Sequence, residues 1–164
     1  MPHTTYYLQM FARPQRVVPP PRDGLSIVHA KKPTIAYYGW LYDTVGGEYH
    51  WISRTKLADA DLLAIIHDPR VEVHVLMVDG VPAGFAELDR RVEGEVELTQ
   101  FGLMREFIGQ GLGKYFIQWA IDRAWSYNPR RFWLHTDTQD HKAALPNYLK
   151  AGFSVYKKEV KGEE

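Results

Sequence analysis

Residues 107–125 read FIGQGLGKYFIQWAIDRAW. Gly109, Gly111 and Gly113 fall on alternate positions, and a long aliphatic and aromatic run with helical spacing follows them. Glycines ahead of a helix mean that the backbone must come close to something. The first turn of a helix carries N–H groups with no internal acceptor, and the helix dipole adds partial positive charge there. A strand, a glycine turn and a helix therefore make an anion site suited to phosphate. Lys114 sits in that first turn and adds a full charge. Two better-known phosphate motifs fail the test. A P-loop would need glycine at Ile108 and a hydroxyl amino acid at Tyr115 in the Ser/Thr position. The dinucleotide fingerprint needs G-x-G-x-x-G inside a βαβ unit, and here the run is G-x-G-x-G. A glycine turn that only packs a helix on a sheet remains the alternative.

Upstream of the glycines the pattern alternates. VEVHVLMV (71–78), FAELDR (85–90) and EVELTQFGLM (95–104) read as three strands of a meander, separated by DGVPAG and RVEG turns. Downstream, Asn128–Pro129 breaks the helix at about Ser126. RRFWLHTDT (130–138) then reads as a strand, DHKAALPNYLKAG (140–152) as a short helix capped by Gly152, and FSVYKKEV (153–160) as a last strand. Toward the start, TTYYLQMFA and LSIVHA are strand candidates joined by the proline-rich connector RPQRVVPPPRDG (13–24). PTIAYYGWLYDTVGG (33–47) is helical, with Ile35, Tyr38, Leu41 and Tyr42 on one side. SRTKLADADLLAIIHDP (53–69) reads as a second helix. The expected architecture is an α/β single domain with a mixed sheet.

The 164 residues are enough for one compact domain with its own core. Twenty basic and twenty acidic side chains balance, which speaks against a nucleic-acid partner. With no cysteine there is no disulfide, thiolate metal site or cysteine nucleophile. No apolar run reaches membrane-spanning length, and MPHTTYYLQM does not read as a signal peptide, so the expected location is the cytoplasm with no membrane partner. His135, Asp137 and His141 cluster in HTDTQDH, but their spacing matches no common ligand pattern, and no metal is expected.

The order of meander, glycine loop, long helix and HTDTQDHKAALPNYLKAGF resembles the GNAT superfamily of acyl-CoA-dependent N-acyltransferases. The likeness is good over residues 70–157 and looser before them. It implies a single GNAT-like α/β (α+β) domain over residues 1–164, with a mixed, mostly antiparallel sheet flanked by helices. The family signature Gln/Arg-x-x-Gly-x-Gly/Ala falls on Ile108 to Gly113, with Ile108 in place of the leading polar residue. The resemblance implies that amides of Gly109, Gln110, Gly111, Leu112, Gly113 and Lys114 hold the pyrophosphate of acetyl-CoA. It also implies that Phe101, Gly102 and Leu103, with Met104 close by, pair with the pantetheine arm as an added strand.

The same likeness makes Tyr148, four residues before Gly152–Phe153, the general acid that protonates the departing thiolate. A core tyrosine with a polar tip is the plain alternative. Asn147 beside it would point elsewhere on the helix. Glu97 stands where some members carry a general base. A solvent-face carboxylate is the other reading, and Glu95 shares its face. Asp140 stands where the family often has an Asn contacting pantetheine, and it also suits a helix N-cap. The short helix is one residue longer before Tyr148 than the commonest spacing, and a kink or bulge at Pro146 would absorb it. In the family the first helices and their connecting loop form the acceptor side, so the resemblance implies that Tyr37, Trp40, Tyr42, Tyr49, His50 and Trp51 wall an amine pocket, with plain core packing as the other reading. The implied activity is acetyl transfer, without a covalent enzyme intermediate, to a primary amine on a small molecule or peptide. A non-catalytic acyl-CoA-binding module is the alternative. The acceptor is not readable from the sequence, and a homodimer is compatible with it.

Overall fold

The alternating stretch from Val71 onward folds as three consecutive antiparallel strands: β3 (Val71–Val78), β4 (Val81–Asp89) and β5 (Glu95–Leu103). In the computed structural model, which describes residues 2–162, they form the centre of a seven-stranded sheet. The other strands are β1 (His3–Met10), β2 (Leu25–Ala30), β6 (Arg131–Asp137) and β7 (Ser154–Lys161). The spatial order is β2-β3-β4-β5-β6-β1-β7, and only β5 and β6 run parallel. The sheet is thus mixed and mostly antiparallel.

Helices cover both faces. On one side lie α1 (Ile35–Gly46) and α2 (Asp59–Ile66). The hydroxyl of Thr34 accepts from the Tyr37 amide and caps α1. Tyr38, Leu41, Tyr42 and Val45, spaced three and four apart, put one apolar stripe against Val73, Val75 and Phe85. On the other side lie α3 (Leu112–Trp125) and α4 (Ala144–Ala151). Phe116, Ile117, Ala120, Ile121 and Ala124 pack there on Leu88, Leu98, Phe132 and Leu134. No helix among the described residues is long and apolar enough to cross a membrane.

Two features differ from the sequence reading. The second helix begins only at Asp59, and residues 53–57 form turns instead, because Arg54 is drawn inward to the fully buried Glu87 at 2.6 Å. The helix after Asp140 begins only at Ala144. Pro146 therefore lies in its first turn, where no N–H partner is lost, and no kink is required. The first strand is where the sequence expects one, and its neighbours are set by the fold. It inserts between β6 and β7, with Thr5, Leu8 and Met10 buried. The connector of residues 11–24 must then cross to β2 at the opposite edge. Arg13 pairs with Asp122 on α3, Arg16 donates to the Lys150 carbonyl on α4, and Arg22 pairs with Asp79 beyond them.

Candidate active site

The site begins where β5 leaves β6. Their parallel pairing runs from Glu95↔Arg131 to Leu98↔Leu134 and stops. At that point β5 carries a bulge. Glu87 faces Gln100 while Leu88 faces Leu98, so Thr99 is the extra residue. Its hydroxyl donates to the Glu87 carboxylate at 2.6 Å. A bulge bends the strand and flips its alternation. Beyond it Phe101 and Leu103 turn toward the α3 side, and the β6-facing main chain of residues 99–103 has no strand partner. That edge can accept an extended, amide-bearing ligand.

A cavity of about 370 Å³ opens along this edge. Phe101, Gly102 and Leu103 form one wall. Gly109, Gly111, Gly113 and Lys114 close one end. Gly109 and Gly111 have φ of +84° and +80°, a region that side-chain-bearing residues seldom adopt. A Cβ on Gly109 would meet no protein atom, so the open side of the loop is free for a ligand to approach. Among the described residues, none of the amides of 109–114 finds a protein acceptor. Unpaired donors converging at the start of the fourteen-residue α3 suit a phosphate group. The residues therefore fit the diphosphate of a coenzyme.

The opposite wall is the β6–α4 turn and α4. Asp140, His141, Ala144, Asn147 and Tyr148 line it. Asn147 faces the cavity rather than pointing elsewhere: positions 144, 147 and 148 fall three and four apart and so share one helical face. The Tyr148 ring packs on Phe101 and Phe153, with centroids 6.1 and 6.0 Å away. Protein surrounds it, yet it keeps surface toward the hollow. That poorly hydrated setting holds its phenol above the ordinary tyrosine value, and the charge of Asp140 adds to the effect.

Asp140 does not cap α4. The cap position is Ala143, and the Asp140 carboxylate folds back on its own turn and across the cavity mouth. It accepts from Thr136 Oγ1 at 2.6 Å, from the Asp137 amide at 2.9 Å and from Trp51 Nε1 at 3.0 Å. Of the aromatic residues expected around an amine, Tyr49 and Trp51 line the cavity. Tyr42 lies behind Trp51 in the core, its ring centroid 5.4 Å away. Tyr37 and Trp40 stack on each other along α1 and do not line the cavity, and His50 is exposed. Met104 is buried and its amide donates to Ala83, so it gives the ligand neither side chain nor N–H. Leu112 is buried too and offers only its amide, while Gln110 is exposed and its side chain donates to Glu106.

Glu97 lies apart from these residues. It lines a second hollow with Asp89, Arg91, Val92, Glu95 and Trp133. Burial, with the nearby charge of Asp89, pushes its carboxyl up to about 7. Two clusters of ligand-like side chains are otherwise engaged. Asp137 holds His3 and Thr5, and Nδ1 of His141 accepts from the Ala143 amide. His29 and His74 gather around Glu72, whose oxygens are already taken by Arg123, Arg90, Tyr127 and His74. That second cluster ties β3 to the far end of α3.

Residues 36–153 match the model of the Acetyltransferase (GNAT) family. The chain belongs to the GNAT acetyltransferases. Solved structures agree on the fold. A GCN5-related N-acetyltransferase from Sphaerobacter thermophilus superposes with a TM-score of 0.68 at 16% identity, over 96% of this chain and 50% of that one. One from Kribbella flavida gives 0.65 at 18%, over 96% and 56%. An IAA acetyltransferase from Bacillus cereus gives 0.60 at 18%, over 80% and 79%. The chain spans about half the length of the first two. No curated protein matches the sequence. In this GNAT domain the glycine loop, the unpaired β5 edge and Tyr148 meet in one hollow. The sequence did not announce the Glu87–Arg54 pair, the Asp140–Trp51 bond or the cavity face of Asn147, because each depends on neighbours brought together only by folding.

Proposed function

We propose that the protein transfers an acetyl group from acetyl-CoA directly to a primary amine. One observation supports this above the others: the free amides of 109–114 and the Tyr148 phenol open onto the same cavity, joined by a bare strand edge. When bound, acetyl-CoA supplies an activated thioester. The loop amides and Lys114 would take its diphosphate, while main-chain groups of 101–103 hold the arm in register. Phe101 and Leu103 exclude water from the reacting end. Tyr148 stays protonated at neutral pH, so it can donate to the sulfur as the carbon–sulfur bond breaks. It regains a proton from the nitrogen of the new amide, which sheds one as it is acylated. Glu97, which ionises near pH 7 but lies outside the cavity, would act only through water as a sink for the first proton of the ammonium.

The test is release of free CoA against a panel of amines, for the wild type and Tyr148→Phe. The phenylalanine variant should keep its acetyl-CoA affinity and lose roughly a hundredfold in turnover, the scale of a lost general acid. Equal turnover would remove Tyr148 from the reaction. Binding without release for any amine would favour a non-catalytic acyl-CoA-binding module.

A further inference from the structure

Among the described residues, no ion pair engages the carboxylate of Asp140. Its carboxylate lies in a cavity whose walls are mainly apolar, among Tyr49, Trp51, Phe101, Leu103 and Tyr148. Its three hydrogen-bond donors, Trp51 Nε1, Thr136 Oγ1 and the Asp137 amide, are all neutral. Burial raises the phenols of Tyr49 and Tyr148 above the ordinary tyrosine value, and the nearness of the Asp140 carboxylate on both sides of the hollow adds to the rise. Two of the donors share Oδ2, and Oδ1 takes only the indole N–H, so Oδ1 keeps a lone pair free. A carboxylate can only accept. Unlike an amide side chain at this place, it cannot donate to a carbonyl of a bound arm, and an unneutralised carboxylate beside ring surfaces attracts a cation.

We propose that Asp140, with the rings of Tyr49 and Trp51, forms the subsite that captures the acceptor as an alkylammonium ion. The idea rests on the acyl-transfer reading and names its substrate class. The acceptor is an aliphatic amine that arrives charged, as such amines are near neutrality, and not a neutral arylamine. Asp140 supplies the charge, and Tyr49 and Trp51 supply ring surface. His141 lines the same cavity, and its ring meets that of Tyr49 edge-on with centroids 6.0 Å apart. The ammonium then passes its proton to water before attack, so Asp140 lowers KM and is a positioning residue for the chemical step.

The experiment uses choline and its uncharged carbon isostere 3,3-dimethylbutan-1-ol, titrated against tryptophan fluorescence of the whole chain. Choline cannot be acetylated on nitrogen, so the readout is independent of turnover. The wild type should bind choline at least about tenfold more tightly than the isostere, the scale of a desolvated cation–π contact joined to an ion pair. Asp140→Asn should abolish that difference. Added salt should narrow the gap in the wild type. Equal affinity for the two probes in the wild type overturns the proposal, as does a preference that survives Asp140→Asn. Should the variant not fold, the wild-type pair and its salt dependence still decide. A protein that prefers choline but does not bind acetyl-CoA would overturn the acyl-transfer reading alone.

Discussion

Glu97, Tyr148 and Asn147 show how far a single residue can be read from its neighbours in the chain. The family resemblance singles out Glu97 by its place in the meander, but the hollow it lines depends on Trp133, thirty-six positions away. Its carboxyl, raised to about 7, holds a proton in the folded protein that the unfolded chain gives up near pH 4.5. Folding is therefore helped by this group at low pH, and the help disappears as pH rises through 7. Glu97→Gln should have unchanged stability at pH 4. It should be more stable than the wild type at pH 8, by roughly 1–3 kcal/mol. Thermal melts at the two pH values check this. If the same variant loses an acidic limb near pH 7 in its rate profile, the water-mediated proton role stands as well. Tyr148 could be singled out because its spacing to Gly152–Phe153 is local. Asn147 differs from the sequence reading because 144, 147 and 148 share a helical face, and only the location of the cavity shows that this face is open to a ligand.

Elements that rest on strong periodicity stand where the sequence put them. The meander, α1 and α3 carry a two-residue or a three-to-four-residue apolar repeat long enough to outweigh other choices. Residues 53–57 lack such a repeat and are held by a buried ion pair instead. Arg54 donates to Glu87 and to the hydroxyl of Tyr38, and Tyr38 and Thr99 donate to Glu87 in turn. This ties the segment carrying Trp51 to the β4–β5 pair at its bulge. Removing one partner leaves a buried charge uncompensated. Arg54→Met should cost about 3 kcal/mol, or roughly 6–12 °C in Tm for a chain of this size. It should also raise KM for the amine more than for acetyl-CoA, because the Trp51 wall would loosen. Calorimetric melting and paired kinetics read both effects. A melting point within 2 °C of the wild type would show that the pair contributes little.

For the whole molecule, the two layers of helices follow from amphipathic patterns, but the place of β1 does not. A short alternating strand can add to any open edge, and no residue in TTYYLQMFA names its partner. In the fold it lies between β6 and β7, and its Leu8 and Met10 join the same core as Phe116 and Phe132. Without it β7 would lose its only strand neighbour and β6 would become an edge. Deleting residues 2–10 should abolish the cooperative melt. A folded truncation would mean that β6 and β7 can close on each other.

The proposed acetyl transfer requires the main-chain groups of residues 109–114 to take up the diphosphate of acetyl-CoA. Calorimetric titration of acetyl-CoA into the folded wild type measures this without any acceptor. The prediction is saturable one-to-one binding with a Kd below about 1 mM. A folded protein that gives no binding heat with acetyl-CoA or with free CoA at millimolar concentration would contradict it.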